Sequence, residues 1–260
     1  GAIFDKHPSK MKSAYVQIGY RDRLLCRIFS DGANSPWILK GGHGMLARIR
    51  DARTTNDVDV FTAELDLEQA QNELISLAGI DLGDYFTFAF RGSESIIEGE
   101  AQSNVEGIRL HFEVFIGTAS KGKVKVDVAV GQEAPSNVET ITPATRLELP
   151  RLQVFDYRIW PIEHQVADKV CASLQTYLGR QPSRSKDLFD LLAIAQSQSM
   201  GSESLRLALN YEATARGVDL RDSFAFPVEW WGLINKNFKG SRFLTSIRDS
   251  VHATELLNHM

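Results

Sequence analysis

The 260-residue sequence is 43% hydrophobic and 24% charged, with a formal net charge of −4 and a pI near 5.9. These values fit a globular protein of one large domain or two modest ones, and exclude the global basic field of a protein that coats nucleic acid. No apolar run reaches the roughly 18 residues needed to span a bilayer, and no signal peptide opens the sequence, which predicts a cytoplasmic protein with no membrane partner.

In chain order, "MKSAYVQIGYRDRLLCRIFS" (residues 11–30) reads as a helix, with Tyr15, Ile18, Leu24, Leu25, Ile28 and Phe29 near one stripe. "DGANSP" breaks it, "WILK" is a short apolar strand, and Gly41 and Gly42 turn the chain into a helix from about 43 to 50. "NDVDVF" is the next strand, followed by a helix from an Asp66 N-cap to about Ala78, buried along Leu67, Ala70, Leu74 and Leu77. From 84 to 130 the apolar period falls to two. "IRLHFEVFIG" and "KVKVDVAVG", with "TASKGK" as the turn between them, predict an antiparallel hairpin. Pro161 suits the first turn of a helix running to about Leu178 along Ile162, Val166, Val170 and Leu174. Ser183 or Ser185 can cap "KDLFDLLAIAQS", and a further helix over 202–215 precedes a Trp-containing end. The predicted division is a mixed α/β half over 1–145 and a mostly helical half over 146–260.

Cys26 and Cys171 lie far apart in apolar helical patterns and read as small buried hydrophobes. The six histidines make no zinc-binding spacing. The chemistry concentrates instead in "WILKGGHGMLARIRDARTTNDVDVF". On a strand, Asp57 and Asp59 face the same side, about 6–7 Å apart, while Val58 and Val60 face the core. Two carboxylates held together ask for a cation between them. The competing reading is a solvated strand face. Gly42 allows backbone N–H groups to approach an anion, and the helix N-terminus behind it favours negative charge. The order strand, Gly-Gly, helix, D-x-D strand therefore suits a triphosphate tail on Gly41–Gly42 and its Mg²⁺ on Asp57 and Asp59.

"LKGGHGMLAR…RTTNDVDVF" resembles the first signature of the polymerase-β-type nucleotidyltransferase superfamily, and is most similar to the AbiEii-type (MenT-like) nucleotidyltransferase toxins. "HQVADKVCASL" resembles that family's lysine helix and "RSKDLFDLL" its following acidic signature. The resembling segments span about 39 to 192, with no recognisable motif in the last 60 or so residues. The resemblance implies an α/β (α+β) fold: a nucleotidyltransferase core with a mixed, mainly antiparallel sheet flanked by helices, then a helical domain completing the active-site cleft. It implies Asp127 as the third carboxylate, against a reading as an exposed strand aspartate beside Lys125. It makes Lys169 a catalytic, phosphate-binding lysine, against one that snorkels from a helix edge. Lys186, Asp187 and Asp190 become nucleotide-binding residues, while Asp187 alternatively favours its helix N-terminus electrostatically.

Arg48, Arg50, Arg53 and Arg184 either grip phosphates or solvate helix faces, and Arg53 is the preferred candidate. Thr54 and Thr55 can offer hydroxyls to the γ-phosphate or metal. His43 covers the nucleotide or caps its helix. The reading that results is a Mg²⁺-dependent enzyme (Mn²⁺ can substitute) with Asp57, Asp59 and Asp127 as metal ligands. It moves NMP from an NTP to an acceptor and releases pyrophosphate. The resemblance further implies a tRNA 3′ end as acceptor and an antitoxin protein as partner. Lys121, Lys123 and Lys125, or Arg180, Arg184 and Lys186, are the basic candidates for RNA contact. The alternatives are transfer to a small molecule or protein side chain, and an inactive nucleotide-binding regulatory module.

Overall fold

A computed structural model describes residues 9–96, 106–131, 133–147, 150–175 and 184–260. Among these, one unit runs as far as Trp160, and a second comprises Pro161–Met260 with the short segment Asp51–Arg53. The division falls after Trp160 because the last strand of the sheet lies just before it.

The first unit contains α1 (Ser9–Ile28), β1 (Ile38–Lys40), α2 (Gly41–Arg48), β2 (Asp57–Thr62), α3 (Leu67–Ala78), β3 (Phe86–Ser95), β4 (Glu106–Ile116), β5 (Ala119–Val130), β6 (Glu139–Ile141) and β7 (Tyr157–Ile159). The strands form one sheet in the order β3-β4-β5-β2-β1-β7-β6. Neighbours are antiparallel except β2 with β5 and β1 with β7. This is the expected mixed, mainly antiparallel sheet with helices.

Strand parity sorts the side chains. Leu39, Val58, Val60, Leu110, Phe112, Val114, Val124, Val126 and Val128 point to one face and join α1 and α3 in the main core. Burying each such side chain stabilises the fold by about 1.5–3 kcal/mol. The opposite face carries a small apolar cluster of Ile38, Phe61 and Ala129, and beside it the charged residues of β1, β2, β4 and β5. Asp66 caps α3 as expected, in a reciprocal capping box with Gln69.

Two expectations for this unit are corrected. The hairpin turn is not "TASKGK": β4 and β5 pair up to Ile116 opposite Ala119, leaving Gly117 and Thr118 as the loop. Gly117 adopts φ +59° there, the left-handed conformation that a two-residue hairpin loop uses. The register then shifts between Val114 and Phe115, where β5 bulges past Lys121. On α1, Tyr15 lies off the buried stripe and is 46% exposed, while Arg23 and Arg27 are fully buried. Arg23 Nε donates to Asp84 Oδ2 at 2.6 Å, and Arg27 Nη2 donates to Asp84 Oδ1 at 2.8 Å. A buried cation is tolerated only when paired and hydrogen-bonded in this way.

The second unit is helical: α4 (Ile162–Leu174), α5 (Ser185–Ser197), α6 (Ser202–Arg216), α7 (Val228–Asn237), α8 (Arg242–Thr245) and α9 (Ser250–Asn258). In α5, Leu188 to Ile194 are buried without a break, so this helix is enclosed on all sides. It packs against α4, α7, α8 and α9. Phe189 stacks on Phe238 with ring centroids 4.2 Å apart. Ser185 is not the cap of α5 but its first residue: Arg184 occupies the N-cap position, without a side-chain capping bond. Ser183, Arg180 and the predicted helix end at Leu178 lie outside the described residues. Both cysteines are free and buried.

Candidate active site

Four strands of the first unit bring one charged row together. β1 and β2 pair Lys40 with Asp59, β2 and β5 pair Asp59 with Asp127, and β4 and β5 pair Asp127 with Arg109. Directly paired residues share a face of the sheet. Asp57, two residues from Asp59, shares it too and lies opposite Lys125. Three carboxylates therefore occupy adjacent positions on two neighbouring strands, while Val58 and Val60 between them are fully buried on the other face.

The glycine pair is explained by close approach. Gly41 has φ +60°, and a Cβ there would sit 2.2 Å from Asp59 Oδ2. A Cβ on Gly42 would meet the Thr55 Cβ at 2.8 Å. The first turn of α2 is thus pressed onto the D-x-D strand. Only glycine leaves room for the Asp59 carboxylate and the Thr55 side chain beneath it. Thr55 Oγ1 lies 3.5 Å from the Asp57 carbonyl, and Thr54 is exposed.

His43 is buried in α2, with Nδ1 2.8 Å from the Asp57 carbonyl oxygen. Nδ1–H is the donor, so the ring fixes the backbone of the first carboxylate. Burial, with the Arg21 charge nearby, drives its pKa down to about 3 against the pull of that hydrogen bond. The imidazole is neutral at physiological pH. Arg21, also buried, donates from Nε to the Asn56 carbonyl at 3.1 Å. Burial lowers its pKa, while the Asp57 charge acts in the opposite sense.

Arg109 was not foreseen. Its Nε and Nη2 reach Asp127 Oδ1 and Oδ2 at 2.6 and 2.7 Å, a bidentate pair. The hydrogen bond to Asp127 raises the arginine's pKa, outweighing partial burial. Arg48 is committed to Glu139 at 2.8 Å and the Trp160 carbonyl at 3.2 Å. Arg50 is exposed, as are Lys121, Lys123 and Lys125.

In the second unit, Lys169 of α4 meets both acidic residues of α5. Its Nζ is 2.7 Å from Asp190 Oδ2 and 3.1 Å from Asp187 Oδ1. Burial works against the ammonium, but Asp190 and Asp187 outweigh it and raise the lysine's pKa. Arg53 Nη2 binds the same Asp190 oxygen at 2.9 Å. Arg184 approaches Asp187 Oδ2 at 3.5 Å. Asp190 Oδ1 is buried and has no hydrogen-bond partner among the described residues. Lys186, one residue away, is exposed and outside this cluster. The predicted residues thus form two ensembles: Gly41, Gly42, His43, Thr55, Asp57, Asp59 and Asp127 in the first unit, and Arg53, Lys169, Asp187 and Asp190 in the second.

The donor chemistry suits a hard divalent cation, which takes carboxylate oxygens. Among the described residues, however, no three His, Cys, Asp or Glu side chains converge closely enough to hold an ion as they stand. Both Asp127 oxygens face Arg109. By side-chain type and strand position the three carboxylates are the residues that could hold a cation.

A family model described as "Nucleotidyl transferase AbiEii toxin, Type IV TA system" matches residues 23–242. The match continues well past the last motif recognised in the sequence. Two solved structures resemble the fold at 15% identity. One, of a candidate nucleotidyltransferase from H. pylori, has a TM-score of 0.48 and covers 97% of this chain and 93% of that chain. The other, JHP933 from Helicobacter pylori, has a TM-score of 0.49 with coverages of 97% and 90%. No curated protein matches the chain.

Proposed function

The chain belongs to the AbiEii family of nucleotidyltransferase toxins of type IV toxin–antitoxin systems, and from that premise we propose that it transfers NMP from an NTP to the 3′ end of a tRNA. The observation that carries this reading is the pairing of Asp59 with Asp127 across two strands, with Gly41 closed over Asp59.

Asp57, Asp59 and Asp127 would hold Mg²⁺, or Mn²⁺ in its place; bound there, the metal supplies Lewis-acid neutralisation of the triphosphate and eases ionisation of the attacking hydroxyl. The acceptor oxygen bonds to the α-phosphorus, the bond from that phosphorus to the β-bridging oxygen breaks, and pyrophosphate leaves. Asp127 takes the hydroxyl proton. Backbone N–H groups at the start of α2 favour the negative phosphates. His43 holds the Asp57 backbone in place rather than acting as a base, because a ring with its pKa near 3 takes up little proton at neutral pH. Lys123 and Lys125 share a face of β5 with Asp127, which suits an RNA backbone leading toward the carboxylates. Lys169, Asp187, Asp190 and Arg53 are assigned to nucleotide positioning. An antitoxin protein is the partner that the family implies.

The test is incubation of the protein with Mg²⁺, each α-labelled NTP in turn, and total tRNA, beside the Asp57→Ala/Asp59→Ala variant. Label entering tRNA only with the intact protein is the expected result, and it identifies the nucleotide. Label on the protein itself or on a small molecule overturns the tRNA acceptor. Nucleotide binding with no transfer to anything overturns the catalytic assignment.

A further inference from the structure

We propose that Arg109 is a built-in counter-ion of the carboxylate site. It holds Asp127 by the oxygens a divalent cation needs, so cation binding displaces it, and Arg109 thereby sets the site's affinity for metal. This rests on the reading of Asp57, Asp59 and Asp127 as the metal ligands.

The geometry makes the competition direct. The guanidinium takes both Asp127 oxygens at 2.6 and 2.7 Å, so a cation must compete with it for each of them. A planar fork matched to a carboxylate is the strongest neutralising contact a side chain offers, and a lysine cannot reproduce it. The need for a counter-ion follows from the register. Asp59 faces Asp127 across the strands and Asp57 lies diagonal to it, so three like charges share one patch. The arginine also feels Asp57 and Glu94, and its Nη1 is 3.6 Å from Glu94 Oε1. Glu94 is therefore a second anchor toward which the guanidinium can withdraw when Asp127 turns to a cation. Arg109 is partly exposed, at 29% of its side chain, so this movement meets no closed core.

The experiment is Mn²⁺ binding by calorimetry and by the loss of the free-ion electron paramagnetic resonance signal, on the whole chain without nucleotide. Arg109→Gln is expected to bind Mn²⁺ about tenfold more tightly than the unaltered protein, since a charge-assisted bidentate pair no longer has to break. The gain is expected to vanish in Arg109→Gln/Asp127→Asn. Arg109→Lys, which keeps the charge and guards against a folding defect, should fall between. Lys125→Gln removes a positive charge from the same face without freeing Asp127, and should change affinity by less than about threefold.

Equal affinity in Arg109→Gln and the unaltered protein overturns the inference while leaving the carboxylate site intact. An equal gain in Lys125→Gln also overturns it, because a general field effect would then suffice. Absence of Mn²⁺ binding in every form removes the metal-site reading itself, and this inference with it.

Discussion

Replacing Gly41 with alanine adds one methyl group at the point where α2 meets the D-x-D strand. The new Cβ would lie 2.2 Å from Asp59 Oδ2, 2.7 Å from its Cγ and 3.0 Å from its Cβ. The carboxylate can swing aside, but the Cβ is fixed to the strand, so the backbones must also part by a few tenths of an ångström. The φ of +60° at Gly41 costs an L-residue roughly 1–2 kcal/mol. Overpacking adds about 1–3 kcal/mol. A total of about 2–5 kcal/mol lowers the melting temperature by about 4–20 °C in a chain of this size. Transfer should fall about 100-fold, because a ligand displaced by an ångström no longer meets its metal or substrate. Gly117→Ala is the control: its φ is +59°, and nothing lies within 4 Å of the added carbon. It should show the backbone strain alone, with transfer unchanged. Thermal melts and initial rates of pyrophosphate release measure both. Equal destabilisation in the two variants, with full activity in Gly41→Ala, would refute the close-approach argument.

Asp84→Asn should destabilise the first unit by about 3–5 kcal/mol in urea unfolding, because it leaves Arg23 and Arg27 buried without their anion. Burial alone would raise the Asp84 pKa, but the two arginines overcome it and hold it below 3.8. Its contribution to stability is therefore complete above the ordinary carboxylate value and lost as pH falls through the lower folded-state value. His43 gives a dependence higher on the pH scale. The unfolded ring protonates near 6.5 and the folded one near 3, so stability declines between those values by up to about 1.4 kcal/mol per pH unit. That slope should be absent from urea titrations of His43→Asn. Lys169→Met leaves Asp190 buried with Arg53 as its remaining cation; it should cost about 3–5 kcal/mol by urea unfolding and depress transfer. The exposed neighbour change Lys186→Gln should stay within about 0.5 kcal/mol.

The carboxylate pair was legible because strand parity is a local rule: alternation in "DVDV" places the valines inward and the aspartates outward whatever the partner strand. The Asp66 cap is likewise local, and so is the signal of the glycine pair, although the two glycines open α2 itself rather than a turn before a helix from about 43. Arg109 was not legible, because cross-strand partners depend on where the hairpin turns. A turn at "TASKGK" sets Asp127 opposite Val114, whereas the Gly117–Thr118 loop and the bulge at Lys121 set it opposite Arg109. Arg23 and Arg27 fall beside the apolar stripe of α1 and look like solvated charges; only the distant Asp84 makes their burial tolerable. Strands of three residues such as β6 and β7 are too short to display a period. Lys169, Asp187 and Asp190 were recognisable as motifs, but their closure onto one another requires two helices to pack. The sharing of Asp190 with Arg53 joins residues 137 positions apart.

The most direct measurement is the rate of Mg²⁺-dependent pyrophosphate release with tRNA and the preferred NTP, in the unaltered protein and in Asp57→Asn, Asp59→Asn and Asp127→Asn. Each substitution removes one charge while keeping the side chain's shape, and melting curves check that the fold is retained. The account predicts a loss of at least about a thousandfold in all three, since each carboxylate would contribute to the electrostatic stabilisation on which transfer depends. A folded variant that turns over at the original rate would contradict it.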